Sequence, residues 1–267
     1  MKKLSILLLA ATLFVFSCQS GKDNESDTKT SVSIESNTTT AKTGVYELRT
    51  YYASDGKLED LLARFRNHTI TLFEKHGIEN IGYWVPLEND QNVLIYLLGY
   101  QNRLNREDSW KSFREDPDWI TAKQASEVNG VLVDSVKSIF LKPTAFSPPL
   151  LITDDGPRIF ELRTYYTHED KLDNLHTRFR DHTMKIFENH GITNIVYFDF
   201  DDDQQGVENT LLYFITHSSR EAAKENWQGF LADTRWISAY ETSIEDGYLV
   251  DSLTSVYLNA ADFSPLK

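Results

Sequence analysis

Cysteine is nearly absent, and Cys18 is the single one in 267 residues. One cysteine cannot close an internal disulfide, nor build a thiolate metal or redox site by itself. Positive charge is also scarce. Lys and Arg number 27 against 40 Asp and Glu, for a formal charge of −13. A surface of that sign repels phosphate backbones and anionic headgroups, so nucleic acid is not an expected partner. Beyond the N-terminus no stretch is long and apolar enough for a spanning helix, which takes about 20 residues. Also missing are a Gly-rich phosphate loop, a nucleophile elbow, a Ser-His-Asp pattern and the spacings of His-carboxylate metal sites. No metal is therefore expected.

What is present starts with a leader. Lys2 and Lys3 form a positive n-region, and Leu4 to Phe16 is a nearly unbroken apolar run. That reads as a signal peptide over residues 1–17. The run closes in Val15-Phe16-Ser17-Cys18, which resembles the lipobox of bacterial lipoproteins. The resemblance implies an acylated Cys18 and a lipid anchor at the cell envelope, on the periplasmic or outer-membrane face. Acylation also gives the lone thiol of an exported protein a reason to exist. Loss of the leader removes two lysines and no acid, so the mature chain is more acidic still. Residues 18–43 are rich in Ser, Thr, Asp, Asn and Lys and read as a disordered tether. The rest has 40% hydrophobic and 12% aromatic content behind it, enough to fold as globular domains.

The strongest signal is internal repetition. Residues 45–81 align without a gap to 159–195, with 21 identities in 37 positions. Val45-Tyr-Glu-Leu-Arg-Thr-Tyr-Tyr52 matches Ile159-Phe-Glu-Leu-Arg-Thr-Tyr-Tyr166. Arg64-Phe-Arg-Asn-His-Thr69 matches Arg178-Phe-Arg-Asp-His-Thr183, and His76-Gly77-Ile78 matches His190-Gly191-Ile192. The register then shifts by three and holds to Phe146-Ser-Pro148 and Phe263-Ser-Pro265. A period above 100 residues means duplicated domains, since solenoid units are shorter. The repeats span 44–148 and 158–267, with 149–157 as linker.

Each copy reads the same way. Residues 45–52 alternate as a strand. Leu58, Leu61, Leu62, Phe65, Leu72 and Phe73 recur at helical spacing, with Ser54 or Asp55 as cap and Gly77 as stop. Strands follow over 78–86 and 92–100, then a helix over 104–114. Asp116-Pro117 restarts a helix, and 131–142 is the last strand. The order βαββαβ is the ferredoxin-like unit, an antiparallel sheet with its helices on one face.

The Tyr-Glu-Leu-Arg-x-Tyr opening, the Arg-x-His-Thr, the His-Gly-Ile and the later Trp-x-x-Phe…Asp-Pro-x-Trp together resemble the NIPSNAP family. That family belongs to the dimeric α+β barrel group. The resemblance implies an α+β fold in which two tandem ferredoxin-like repeats pack sheet to sheet as an intramolecular barrel. It also implies a cavity between the repeats. Copy two departs from the pattern at Asp233-Thr234, where the Pro is lost, and carries an acidic insertion from Asp199 to Gly206.

Strand periodicity sorts Tyr46, Leu48 and Tyr52 onto one face and Glu47, Arg49 and Tyr51 onto the other. The apolar set is expected to meet the helices. Glu47, Arg49, Tyr51 and their partners Glu161, Arg163, Tyr165 then face the barrel interior. They are either ligand-binding groups in a polar cavity or a structural Arg–Glu pair. His68 and His182 fall on the apolar helix stripe by the +4, +3, +4 spacing of Leu61, Phe65, His68 and Leu72. Each could act as a general base, or as a haem ligand as in some barrel-group relatives, or simply be a buried structural histidine. No cofactor is otherwise expected. His76 and His190 suit helix C-termini. The acidic run at 199–203 lacks the Gly and Glu of a calcium loop and reads as a solvated hairpin turn.

The functional expectation is a lipid-anchored binder of a small molecule between its repeats. The alternatives are a cofactor-independent oxygenase or isomerase, or a non-enzymatic partner-binding envelope protein. The chain is expected to be monomeric with an internal pseudo-dimer, with higher oligomers open. Each sheet leaves one face uncovered, so the repeats should serve as mutual lids. A single copy expressed alone is expected to dimerise or aggregate. Light scattering that finds a soluble folded monomer would contradict this.

Overall fold

The computed structural model describes residues 39–40 and 44–267. The expected leader, Cys18 and the rest of the tether lie outside the described residues. Strand β1 is Thr39–Thr40. The first repeat runs β2 Val45–Ala53, α1 Leu58–Arg64, a π-helical turn Phe65–Thr69, α2 Ile70–Lys75, β3 Glu79–Pro86, β4 Val93–Tyr100, α3 Arg103–Glu115, α4 Pro117–Ser126 and β5 Val133–Pro143. The linker holds β6 Leu151–Ile152, which pairs with β1. The second repeat runs β7 Ile159–Thr167, α5 Leu172–Arg178, a π-helical turn Phe179–Thr183, α6 Met184–Asn189, β8 Thr193–Phe200, β9 Thr210–His217, α7 Arg220–Ala232, α8 Thr234–Ser243 and β10 Val250–Ala260.

Local chemistry explains the helix boundaries. Asn102 accepts a hydrogen bond from the Asn105 amide at 2.9 Å and caps α3. Asp116 accepts from the Asp118 amide at 2.8 Å, with Pro117 in the first turn of α4. Asp233 caps α8 in the same way at 2.9 Å, so the lost proline costs no helix. The first helix differs from expectation. Neither Ser54 nor Asp55 caps it, because a turn closed by Lys57 N–H on the Ser54 carbonyl at 2.9 Å comes first. Gly56 at φ 69° makes that turn, and Asp170 at φ 56° does so in repeat two.

Within each repeat the strand order is β3-β4-β2-β5 and β8-β9-β7-β10. The two sheets join edge to edge, β5 to β8 and β10 to β3, into one closed eight-stranded antiparallel barrel. The seams are short. Leu141 to Pro143 pairs with Phe200 to Phe198, and Leu258 to Ala260 with Pro86 to Trp84. Closure removes the free edges of the two four-stranded sheets. Among the described residues no helix is long and apolar enough to cross a membrane.

The faces of the central strands are the reverse of the expectation. Tyr46 and Leu48 point into the barrel with Trp84, Ile95, Leu97, Phe160, Leu162, Phe198 and Phe214, and all are buried. Trp84 packs 4.9 Å from Phe214 and 5.5 Å from Phe160, ring centre to ring centre. The interior between the repeats is therefore a filled apolar core. Each large side chain removed from water there stabilises the fold by roughly 1.5–3 kcal/mol. Glu47, Arg49 and Tyr51 face the helices instead. Burying charge is costly without donors, and only the helix side supplies them.

The core is filled differently by the two repeats. A Cβ on Gly82 would lie 2.3 Å from the Trp84 ring. The matching residues of repeat two, Val196 and Phe198, are both buried. Gly82 with Trp84 and Val196 with Phe198 are thus two solutions to one packing problem. Gly82→Val is expected to cost roughly 1–3 kcal/mol by overpacking. Adding Trp84→Phe should recover at least half of that. Additive losses in a thermal-melt double-mutant cycle would refute the pairing.

Candidate functional site

Each repeat carries a buried carboxylate on its central strand, aimed at the helix layer. Glu47 is fully buried. Arg49 Nη1 donates to its Oε1, as does Arg106 Nη2 at 2.8 Å and Ser138 Oγ at 2.5 Å. Tyr100 OH and Arg106 Nε each donate to Oε2 at 3.0 Å. Trp110 Nε1 donates to Tyr100 OH at 2.8 Å and extends the chain of bonds into α3. Arg49 also donates to Tyr96 OH at 2.9 Å, and its guanidinium stacks 4.4 Å over Trp110.

Repeat two keeps the core of this and changes the rest. Glu161 accepts from Arg163 at 2.5 Å, Ser255 at 2.6 Å and Trp227 at 2.8 Å. Arg163 stacks 4.4 Å over Trp227. Where repeat one has Tyr100 and Arg106, repeat two has His217 and Ala223. His217 is buried, with Nε2 3.0 Å from Glu161 Oε2 and Nδ1 3.3 Å from Asn226 Nδ2. Those partners place the Nε2 proton toward the carboxylate, with Nδ1 facing the amide.

Burial alone would raise the pKa of Glu47, but the bonds from Arg106 and the charge of Arg49 outweigh it and bring it to about 2. For Glu161 burial is likewise outweighed, by the His217 bond, the Arg163 charge and the Ser255 bond, again to about 2. Both carboxylates are thus ionised and structural. Neither is a proton donor near neutral pH.

The open space lies beside these clusters, between helices and sheet within each repeat. It exists because the helices leave the outer strands bare. Asp134 to Ser138 of β5 and Asp251 to Ser255 of β10 are exposed. The first cavity has a volume of about 430 Å³. Arg49, Tyr51, Phe65, Trp110 and Trp119 line it, with Arg114 and Lys123 at its exposed rim. The second has about 660 Å³, lined by Arg163, Tyr165, Arg178, Trp227, Trp236 and Tyr240 among others. Both volumes sit within the ~300–1,000 Å³ range of small-molecule sites.

The expected ligand residues Arg49, Tyr51, Glu161, Arg163 and Tyr165 do line these cavities, whereas Glu47 is sealed beneath the first. His68 and His182 line neither and are exposed. The π turn explains the misplacement. It adds a residue to one helical turn, so Thr69 and Thr183 face inward in place of the histidines. Each threonine hydroxyl donates to the carbonyl five residues back, Arg64 at 3.2 Å and Arg178 at 3.1 Å. An exposed imidazole offers no cavity-wall ligand for a haem, and the proton-transfer reading loses its base. His76 and His190 end α2 and α6 and bond Asp116 and Asp233 at 2.6 and 2.8 Å, tying each helix to a following N-cap. The acidic insertion docks onto repeat one. Arg103 pairs with Asp201 at 3.0 Å and Asp203 at 2.7 Å, and Lys142 with Asp202.

The NIPSNAP family model matches residues 46–148 and again 160–265. The chain belongs to the NIPSNAP family. A solved NIPSNAP domain protein from Burkholderia xenovorans is 22% identical, covers 39% of this chain and 98% of its own, with TM-score 0.35. A NIPSNAP family protein from Agrobacterium tumefaciens is 27% identical over 39% of this chain and 96% of its own, with TM-score 0.35. A proposed monooxygenase from Lactobacillus acidophilus covers 82% of this chain and 94% of its own at 12% identity and TM-score 0.52, a likeness of fold alone. No curated protein matches the chain. Both NIPSNAP domains here retain the Glu-Leu-Arg-x-Tyr strand, whose Glu and Arg contact side chains of the helix layer.

Arg106, Tyr100, Ser138 and the counterparts His217 and Ser255 escaped the reading of the sequence, which gave Trp110 and Trp227 only as part of the family motif. The i,i+4 spacing of Arg106 and Trp110 and the alternation of Tyr96 with Leu98 and Tyr100 were the available signals. The depressed carboxylates set a pH window. Their folded values lie near 2 against an ordinary 4.5, so their stabilisation is full above about pH 4.5 and lost as pH falls toward 2. Glu47→Gln with Glu161→Gln should therefore melt well below wild type at pH 7. The gap should shrink through that window. A gap constant from about pH 6 to 3 would exclude the assignment.

Proposed function

We propose that this NIPSNAP protein binds a small, largely apolar molecule in the helix–sheet cavities within its repeats, while held to the cell envelope by an acylated Cys18. One observation carries the binding reading. The barrel interior is filled, yet each repeat keeps an aromatic-walled cavity that opens to solvent over an uncovered strand. A protein selected only for packing has no use for two such voids, since each unfilled site lowers stability. The arginines that line them are held in place by hydrogen bonds and ring stacking, which makes the walls preorganised. The packed interior speaks against a ligand between the repeats. The exposed histidines speak against proton-transfer chemistry at those residues.

The neutral fluorescent probe N-phenyl-1-naphthylamine is expected to bind the full chain. Val136→Trp and Leu253→Trp, at exposed lining positions, should fill the two mouths and weaken binding about tenfold together. Unchanged melting temperatures would show the fold intact. Probe affinity untouched by both substitutions would sink the reading. Separately, Cys18→Ser should move the protein from the membrane fraction to the soluble fraction of its native host. Retention in the membrane would remove the anchor.

A further inference from the structure

The two cavities are not equivalent, and the difference centres on one pair of arginines. Arg64 and Arg178 occupy matching positions just before the π turns, and both are buried at 5% and 4% exposure. Arg64 Nη1 is paired with Glu127 Oε1 at 2.8 Å. The residue matching Glu127 in repeat two is Ile244. Arg178 accordingly has no carboxylate within ion-pair distance among the described residues. Its Nη1 donates to Ser243 Oγ at 3.1 Å, as Arg64 Nη1 does to Ser126 Oγ at 3.3 Å, and Nε of both arginines is buried with no hydrogen-bond partner, so the counter-charge is what separates them. Its guanidinium lies 5.3 Å from the rings of Trp236 and Tyr240. Burial, set against only the weaker influence of neighbouring tyrosines, lowers its pKa. An uncompensated buried cation is costly, and proteins rarely keep one without a partner.

The mouth has changed as well. Arg114 and Lys123 at the first cavity become Leu231 and Tyr240 at the second. Leu231 and Leu253 line the second cavity and are exposed at 59% and 47%. The second cavity therefore has an unpaired cation at depth, and its opening carries Leu231 and Leu253 beside Asp251, Ser252 and Ser255, where the first carries Arg114 and Lys123 beside Val131 and Val136.

We propose that the cavity of the second repeat is a site for an amphiphilic carboxylate, its head paired with the Arg178 guanidinium and its apolar tail leaving between Tyr240, Leu231 and Leu253. The first cavity takes no such head, because Glu127 already supplies the counter-charge of Arg64. This rests on the reading above that the helix–sheet cavities hold small molecules, and adds which cavity and which chemical class. The ligand supplies the missing counter-charge, so binding and stabilisation are coupled.

The test uses the full chain with decanoate and decanol as probes, followed by calorimetry and by melting temperature. Decanoate is expected to bind one per chain and to raise the melting temperature, with decanol about tenfold weaker or more. Ile244→Glu installs the carboxylate of repeat one beside Arg178. It should weaken decanoate at least about tenfold and leave decanol unchanged. Arg178→Gln, which removes the buried charge, should erase the preference for decanoate over decanol. Glu127→Ile frees Arg64 and should raise the decanoate stoichiometry to two. Equal affinity for both probes in the wild-type chain, or decanoate binding indifferent to Ile244→Glu and Arg178→Gln, overturns the assignment and leaves the cavity reading standing. Absence of binding by decanoate, decanol and phenylnaphthylamine together overturns both.

Discussion

Each repeat is organised around a buried carboxylate on its central strand. Glu47 and Glu161 cannot stay ionised inside a protein without several donors, and those donors gather on the helix side of the strand. They turn toward the helices, where Arg106 of α3 meets Glu47 directly and Trp110 meets it through Tyr100, while Trp227 of α7 and His217 of β9 meet Glu161. That choice sets the opposite face of the strand as well. Because side chains alternate, sending Glu47 and Arg49 outward sends Tyr46 and Leu48 inward. The dry core shared by the repeats and the clamp between sheet and helices are two sides of one strand. Breaking such a pair leaves a bare buried charge, a loss of roughly 3–5 kcal/mol.

The π turns act on the helix in a similar way. One extra residue in a turn rotates everything beyond it. Phe65 and Phe73 both reach the core, Thr69 satisfies a carbonyl the turn leaves free, and His68 is carried out to solvent. The same four-residue logic holds for Phe179, Thr183, Phe187 and His182.

Duplication allowed the copies to drift where packing did not bind them. The scaffold residues changed little: Glu, Arg and Trp of the clamp are retained in both. The lining changed in matched pairs. Gly82 accommodates Trp84 where Val196 accommodates Phe198. Glu127 accompanies Arg64, whereas Ile244 leaves Arg178 alone. The acidic insertion of the second repeat settles on Arg103 and Lys142 of the first, a contact that has no counterpart in the reverse direction among the pairs formed by Arg220. A two-fold symmetric frame now supports two unlike cavities.

The repeat, the order of its elements and the family were all legible in the residues, because they depend on identities and on periods of 2 and 3.6 that a strand or helix imposes locally. The helix stops at Gly77 and the cap at Asp116 were legible for the same reason. Which face of the central strand met which layer was not. Alternation separates Glu47 from Leu48, but it cannot say where donors for a carboxylate will be. Those donors come from Tyr100, Arg106 and Ser138, as many as 91 residues away along the chain. Nor could spacing place His68, since a helical period assumes a regular helix and a π turn breaks it. The sequence by itself determined two copies of a ferredoxin-like unit with a charged pair at the centre of each. Only the tertiary structure decided that the charged pair serves the helices, that the space between the copies is full, and that the cavities lie within each copy. The physical reason is that a buried charge goes where its partners are, and partners are set by packing across the chain.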